Sequence, residues 1–251
     1  LRALVPTCAE ARLLLAHAEA LAGNLDAACT ILAAAGETPS VATRLEHACL
    51  LERLGRHTDA RERALALLAL CEESSPSERP DGQSAARAAV VAATSTLALG
   101  DPAGADRIAS AAQSIDCEPQ FRARLSAIRS DAALRRNDPH AALACAAEAE
   151  TAARESGDAA AIAHAIARSA AAHALSGDPR RARERWREAL AEAERAADIG
   201  ALPPYLMNLA TIEHALGEIG DAMRLYERAA GLADRLGREG SRAAALTNLA
   251  G

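Results

Sequence analysis

The side chains able to do chemistry here are mainly histidine and cysteine, and their spacing decides which chemistry is open to them. Seven histidines lie at positions 17, 47, 57, 140, 164, 173 and 214, and six cysteines at 8, 29, 49, 71, 117 and 145. A zinc hydrolase would set two histidines one helical turn apart around a glutamate, and a structural zinc site would pair cysteines a few residues apart. Neither pattern occurs: Glu46-His47 and Glu213-His214 each lack the second histidine, and no two cysteines form C-x-x-C. His173 and His214 could approach across neighbouring helices, yet two imidazoles without a third ligand in register make a poor metal site. No serine stands in G-x-S-x-G, and the glycines of "ESGD" and "LSGDP" lack the rest of a phosphate loop. The sequence predicts no enzyme, no cofactor and no metal. Its cysteines, mostly inside apolar stretches, are expected to be reduced, small buried hydrophobes of a cytoplasmic protein.

The elements that carry these residues follow from composition. The 251 residues are 50% hydrophobic but only 2% aromatic, so alanine and leucine supply the apolar content. Both are strong helix formers, and the β-branched and aromatic runs of buried strands are absent. Twenty-eight basic residues stand against 34 acidic ones, a formal net charge of -6, which argues against direct nucleic-acid contact. The densest basic run, Arg180, Arg181, Arg183, Arg185 and Arg187, is broken by Glu184 and followed by Glu188, Glu192 and Glu194. It is expected to be a solvated helix face with local ion pairs. No long charge-free apolar segment proposes a membrane span. A chain that starts at Leu1 is expected to have been cut from a longer one.

One spacing organises the whole chain. Turn residues fall at Gly23, Gly55, Gly100, Asn137, Gly177 and Gly217, at intervals of 32, 45, 37, 40 and 40. Five residues beyond each stands an alanine: Ala28, Ala60, Ala105, Ala142, Ala182 and Ala222. Seven residues before each the side chain is also small: Ala16, Ala48, Ala93, Ser130, Ala170 and Ala210. Two antiparallel helices joined by a short turn meet closely where small faces small, and bulk at either point would wedge them apart. Glycine or asparagine at the turn can adopt the left-handed conformation that ends a helix. "DP" at 101-102, 138-139 and 178-179 then supplies an N-cap acceptor and a first-turn proline for the next one. The expectation is a single all-α solenoid over 1-251 with six helix pairs, approximately 7-36, 40-73, 84-116, 119-156, 158-199 and 203-237, and a partial seventh at 241-251. The later helices should be longer than the first ones. Residues 71 to 84, "CEESSPSERPDGQS", read as a surface loop, and the unfinished seventh pair implies further repeats or another domain beyond it.

The pattern resembles the tetratricopeptide repeat (TPR) family. The small residue before the turn, the turn glycine, the alanine after it, the large residues Trp186 and Tyr226, and Ala189 and Ala229 three positions on carry the resemblance. "NLATIEHALGEIGDAMRLYERAAGLADRLG" is its strongest stretch. It looks like the long, roughly 40-residue variety found in large bacterial signalling proteins, among them activators related to the maltose regulator. Departures are that family's first-helix tryptophan, here Arg12, Arg44, Ala89, Ser126, Ile166 and Leu206, and its later aromatic, here Glu19, Leu51, Thr96, Ala133, His173 and Glu213.

The resemblance implies a right-handed superhelix that holds a protein or peptide in a concave groove. The groove would be lined by first-helix positions two, five, nine and twelve: Arg87, Val90, Thr94 and Leu97; Arg124, Ala127, Asp131 and Leu134; His164, Ala167, Ala171 and Ala174; Pro204, Met207, Thr211 and His214. This small, apolar surface does not look like the basic carboxylate clamp of some family members, and its natural guest is an apolar helix or extended peptide. The implied function is a protein-interaction or regulatory scaffold whose partner is a protein or peptide, or another domain of the same parent chain. The alternative is a small-molecule effector sensor that controls an attached ATPase, kinase, protease or DNA-binding module.

Overall fold

The computed structural model describes residues 9–34, 39–73 and 80–250. Among them are thirteen α-helices and no strand. They are α1 (Ala9–Leu21), α2 (Leu25–Ala33), α3 (Val41–Arg53), α4 (His57–Glu73), α5 (Gly82–Ala98), α6 (Pro102–Ala111), α7 (Pro119–Arg135), α8 (Pro139–Ser156), α9 (Ala159–Leu175), α10 (Pro179–Arg195), α11 (Leu202–Ala215), α12 (Ile219–Arg235) and α13 (Glu239–Ala250). A short 3-10 turn, Ala112–Ser114, follows α6. Consecutive helices make six pairs, and α13 packs on α12 after them. α1 and α2 have 13 and 9 residues, whereas α9 and α10 have 17 each.

Every turn residue read from the sequence takes the left-handed backbone: φ lies between 59° and 86° at Gly23, Gly55, Gly100, Asn137, Gly177 and Gly217. The helix that follows a "DP" step starts as that dipeptide requires. Asp101, Asp138 and Asp178 accept from the backbone N–H of Gly104, Ala141 and Arg181 at 2.8, 3.0 and 3.1 Å, with proline at the first helical position. The connections between pairs add left-handed residues at Gly157, Ala197 and Gly237. From Asn137 onward such a residue therefore recurs every 20 residues, one per helix. The 40-residue period of the sequence is two of these steps, and the middle one is hidden at Ala197 because alanine gives no turn signal.

The small positions are where the helices cross. Ala16, Ala48, Ala93, Ser130, Ala170 and Ala210 are 0% exposed, as are Ala28, Ala60, Ala105, Ala142 and Ala182; Ala222 is 3% exposed. Ser130 shows the contact directly, its hydroxyl donating to the carbonyl of Ala142 at 2.9 Å. A serine fits there because its one donor finds a backbone acceptor on the opposing helix.

Packing divides the chain into two compact halves, residues 1–128 and 129–251. In each, the second helix of one pair packs on the first helix of the next, the right-handed stacking of a TPR-like solenoid. In the first half, Leu45, Leu51, Leu67 and Val91 form a core with Ala48, Ala60 and Ala64. In the second, Trp186, Tyr205, Leu206 and Ile166 are buried among alanines, and the Trp186 and Tyr205 rings lie 5.5 Å apart. These few large side chains do what leucine does elsewhere, since alanine interfaces bury little area each.

The expected loop at 71–84 is narrower, because α4 continues to Glu73 and α5 begins at Gly82. Residues 74–79 lie outside the described residues, as does Cys8. Gly82 answers a close approach: a Cβ there would come 2.1 Å from the carbonyl oxygen of Asp116. No disulfide joins the five described cysteines, and burial pushes the Cys49 thiol up to about 11, which leaves it unreactive. Among the described residues no helix is long and apolar enough to cross a membrane.

Candidate functional site

The first helices of the pairs carry the positions that the spacing assigns to a groove, and α11 presents the most open set. Pro204, Thr211 and His214 are exposed and Met207 is half-buried, whereas Tyr205, Leu206, Leu209, Ala210 and Ile212 turn inward. The helix keeps this division because its inward residues recur at three- and four-residue steps. Thr211 is tied down: its hydroxyl donates to the Met207 carbonyl at 3.0 Å and lies 3.0 Å from the Tyr226 hydroxyl. Met207 rests partly against Ala210, Ala222 and Tyr226, so its thioether covers the core as well as facing outward.

On α9, Ala174 is exposed, Ala171 is half-buried and Ala167 is buried. His164 is about half exposed but fully engaged. Its Nδ1 lies 2.6 Å from the Tyr205 hydroxyl and its Nε2 3.3 Å from Asp198 Oδ2. Burial raises the Tyr205 phenol above its ordinary pKa and lowers that of the imidazole, the latter reinforced by Arg168 and opposed by Asp198, Asp131 and Asp158. The pairing that satisfies all three groups has Tyr205 donating to Nδ1 and Nε2–H facing Asp198. This chain joins α9 to α11 and to the turn before it. A phenol whose ionisation is made harder is a poor nucleophile or base, so the chain holds the helices in register.

The remaining assigned positions divide in the same way. On α7, Arg124 is exposed, Ala127 and Leu134 are half-buried, and Asp131 accepts from Arg168 at 2.7 Å. On α5, Thr94 is half-buried and Arg87 donates to Glu46 at 2.9 Å, which also lies 3.3 Å from His17. Val90 and Leu97 are buried, at 1% and 6% exposure. α5 packs against α3, α4 and α6, which leaves those two side chains no open face.

Several residues that matter here carried no local motif. Tyr205, Asp198 and Arg168 became visible only through their partners, and the separations explain why. Glu46–Arg87, His164–Tyr205 and Asp131–Arg168 are 41, 41 and 37 residues apart, one repeat length each. A search for complementary side chains one repeat apart would have found all three.

Glu213 is the other unforeseen residue. It replaces the bulky residue of related repeats, yet it is 1% exposed. Arg187 donates to its Oε1 at 2.7 Å, Arg183 Nη1 lies 3.7 Å from Oε2, and Oε2 accepts no hydrogen bond from the described residues. A cleft of about 290 Å³ lies beside it, with Leu209 and Leu225 in its lining and Arg187, Arg224 and Arg228 around it. Among the described residues no three His, Cys, Asp or Glu side chains are grouped to hold a metal ion.

No protein-family model and no curated protein matches the sequence. Solved structures do. A Signal Transduction ATPase with Numerous Domains from Pyrococcus horikoshii, described as having a tetratricopeptide repeat sensor, matches 97% of this chain with a TM-score of 0.71 at 15% identity. This chain spans 38% of that protein's length. BtubC from P. vanneervenii matches 94% of the chain, and 90% of its own length, at a TM-score of 0.62 and 17% identity. A Rap protein complexed with Competence and Sporulation Factor matches 96% of the chain and 70% of its own length, at 0.65 and 11%. At these identities the likeness establishes a TPR-like repeat fold and no more, since fold does not by itself fix function.

Proposed function

We propose that the chain is a protein-interaction scaffold that receives an apolar helix or extended peptide on the outward face of its first helices, with α11 at the centre of the contact. The observation that carries this reading is the division of α11, which exposes Pro204, Thr211 and His214 along one stripe with the half-buried Met207, while Tyr205, Leu206, Leu209, Ala210 and Ile212 are buried. Methionine adapts to varied apolar guests, and the imidazole of His214, seven residues on along the same helix, supplies one polar anchor. The parent protein in this reading is a cytoplasmic bacterial signalling or transcriptional regulator with the long repeat variety, and the partner is another protein or a domain of the same chain. The repeat sensor of the Pyrococcus ATPase and the factor-bound Rap protein support a sensing or restraining role for such a scaffold.

The test uses a displayed peptide library selected against the whole chain. Replacing Met207 and His214 together by alanine should weaken the selected apolar peptide about tenfold or more, the effect of losing a small anchor pair, while far-ultraviolet circular dichroism stays unchanged. Unchanged affinity in a normally helical variant would remove α11 from the contact.

A further inference from the structure

The basic run on α10 has no part in the α11 groove, and the structure brings it to a different surface. Leu209 and Glu213, which line the cleft, stand two residues beyond Met207 and Thr211, a turn of roughly 200° around the helix. The cleft therefore opens on the far side of α11 from the groove. Second helices supply its other walls, Arg187 from α10 and Arg224, Leu225 and Arg228 from α12. Glu213 is already neutralised, with Arg187 on one oxygen and Arg183 3.7 Å from the other.

The arginines keep unused capacity. Arg187, Arg224 and Arg228 have side chains 58%, 73% and 52% exposed. Each makes hydrogen bonds through Nη2 alone, to Glu213, Asp221 and Glu194 respectively. Their Nε and Nη1 groups donate to nothing among the described residues. A guanidinium carries five N–H donors in a planar fork, so three partly used forks stand around one cleft of about 290 Å³. With Arg183, four arginines here meet three carboxylates, Glu213, Asp221 and Glu194, in a chain whose net charge is -6. One further carboxylate would balance them.

The rest of the lining narrows the guest. The buried Leu209 and half-buried Leu225 ask for an apolar group beside the anion. A nucleic acid presents phosphates in series, and the carboxylates set among these arginines would repel the ones that follow the first. A small free anion gains little from exposed, hydrated guanidinium groups, whereas a protein segment covers them and shuts water out.

We propose that this cleft is a docking surface for an acidic segment of a partner protein. An aspartate or glutamate carboxylate of the segment sits among Arg187, Arg224 and Arg228, and a neighbouring aliphatic side chain lies on Leu209 and Leu225. The segment bridges α10 and α12, two successive second helices, and its binding is independent of the groove on the opposite side of α11.

The test selects a displayed library of random peptides against the whole chain at low salt and counter-selects it against the double variant R224A/R228A. Both arginines are exposed and neither holds Glu213, so the variant should keep its circular dichroism and its thermal midpoint. Surviving peptides should carry Asp or Glu beside Leu, Ile or Met. In fluorescence polarisation a synthetic survivor should bind the double variant about tenfold more weakly or worse than the wild type, the loss expected for charge-assisted hydrogen bonds. It should lose a similar factor on the wild type when its acidic residue becomes the amide, a comparison that needs no variant of the protein. M207A/H214A should bind it as the wild type does, so failure of the groove reading and failure of this one are separate results. The proposal is overturned if no peptide survives counter-selection, or if the survivors lack an acidic residue or keep full affinity as amides. Oligothymidylate that binds as tightly as the best survivor, and is lost in the double variant, would overturn it by assigning the cleft to phosphate.

Discussion

Mild acid should weaken this protein through one histidine in its first half. His47, on α3, is 5% exposed, and burial lowers its pKa to about 4 from an ordinary 6.5, with Arg63 and Arg56 adding to the shift and Asp59 opposing it. The unfolded chain then binds a proton between these values that the folded chain refuses. The stability held by neutral His47 is complete above about pH 6.5 and is lost as pH falls through the window toward 4. At pH 4.5 the two pKa values give a loss of about 2.5 kcal/mol. Carboxylates titrate in the same range, so the assay is a difference. Urea unfolding of the wild type and of H47Q is measured at pH 7.5 and pH 4.5, and the wild type should lose about 2.5 kcal/mol more than the variant on acidification. Equal losses would refute the assignment of the acid sensitivity to His47, whatever the absolute stability of the variant.

Two further substitutions test the repeat geometry. Ala197 holds φ at 52°, where a Cβ is strained, so A197G should raise stability by about 1 kcal/mol in urea unfolding, and G177A at the matching turn should lower it by a similar amount; an A197G that is neutral or harmful would contradict the turn assignment. At the helix crossing, S130A removes one buried hydrogen bond and should cost about 1 kcal/mol, whereas S130L must wedge α7 from α8 and should cost about 3 kcal/mol or more, an order that thermal unfolding can check.

The fold was legible because its determinants are local and repeated. A turn residue, a small residue seven before it and an alanine five after it describe a helix crossing completely, and all six crossings are buried as that rule requires. The N-capping aspartates are equally local. The candidate site was less legible because solvent exposure on a solenoid depends on how many neighbours a helix has. Val90 and Met207 occupy the same register position, yet Val90 on α5 is 1% exposed and Met207 on α11 is half-buried. Ala197 escaped for a different reason, since its left-handed backbone is imposed by the 20-residue rhythm around it and not by its side chain.

The polar residues of such a chain have two possible employments, and repeat length sorts them. Where a charged or aromatic side chain has a complement one repeat away, stacking brings the two together and both are used in holding the array. Asp131 with Arg168, Glu46 with Arg87, and His164 with Tyr205 are of this kind. The pairs Glu150–Arg185 and Glu194–Arg228, 35 and 34 residues apart, extend it to the second helices. This rule removes His164 and Asp131 from the residues with freedom to meet a guest, although both sit where a groove residue should. It leaves His214, exposed on α11 seven residues beyond Met207, and it shows Glu213 as a residue held from within the array. That residue has Arg187, 26 residues away, on one oxygen and Arg183 at 3.7 Å from the other, so two arginines of α10 hold it. Among the described residues the buried polar atoms without a hydrogen bond lie on α4, α5, α10 and α11, so outward exposure, and not incomplete pairing, is what sets α11 apart.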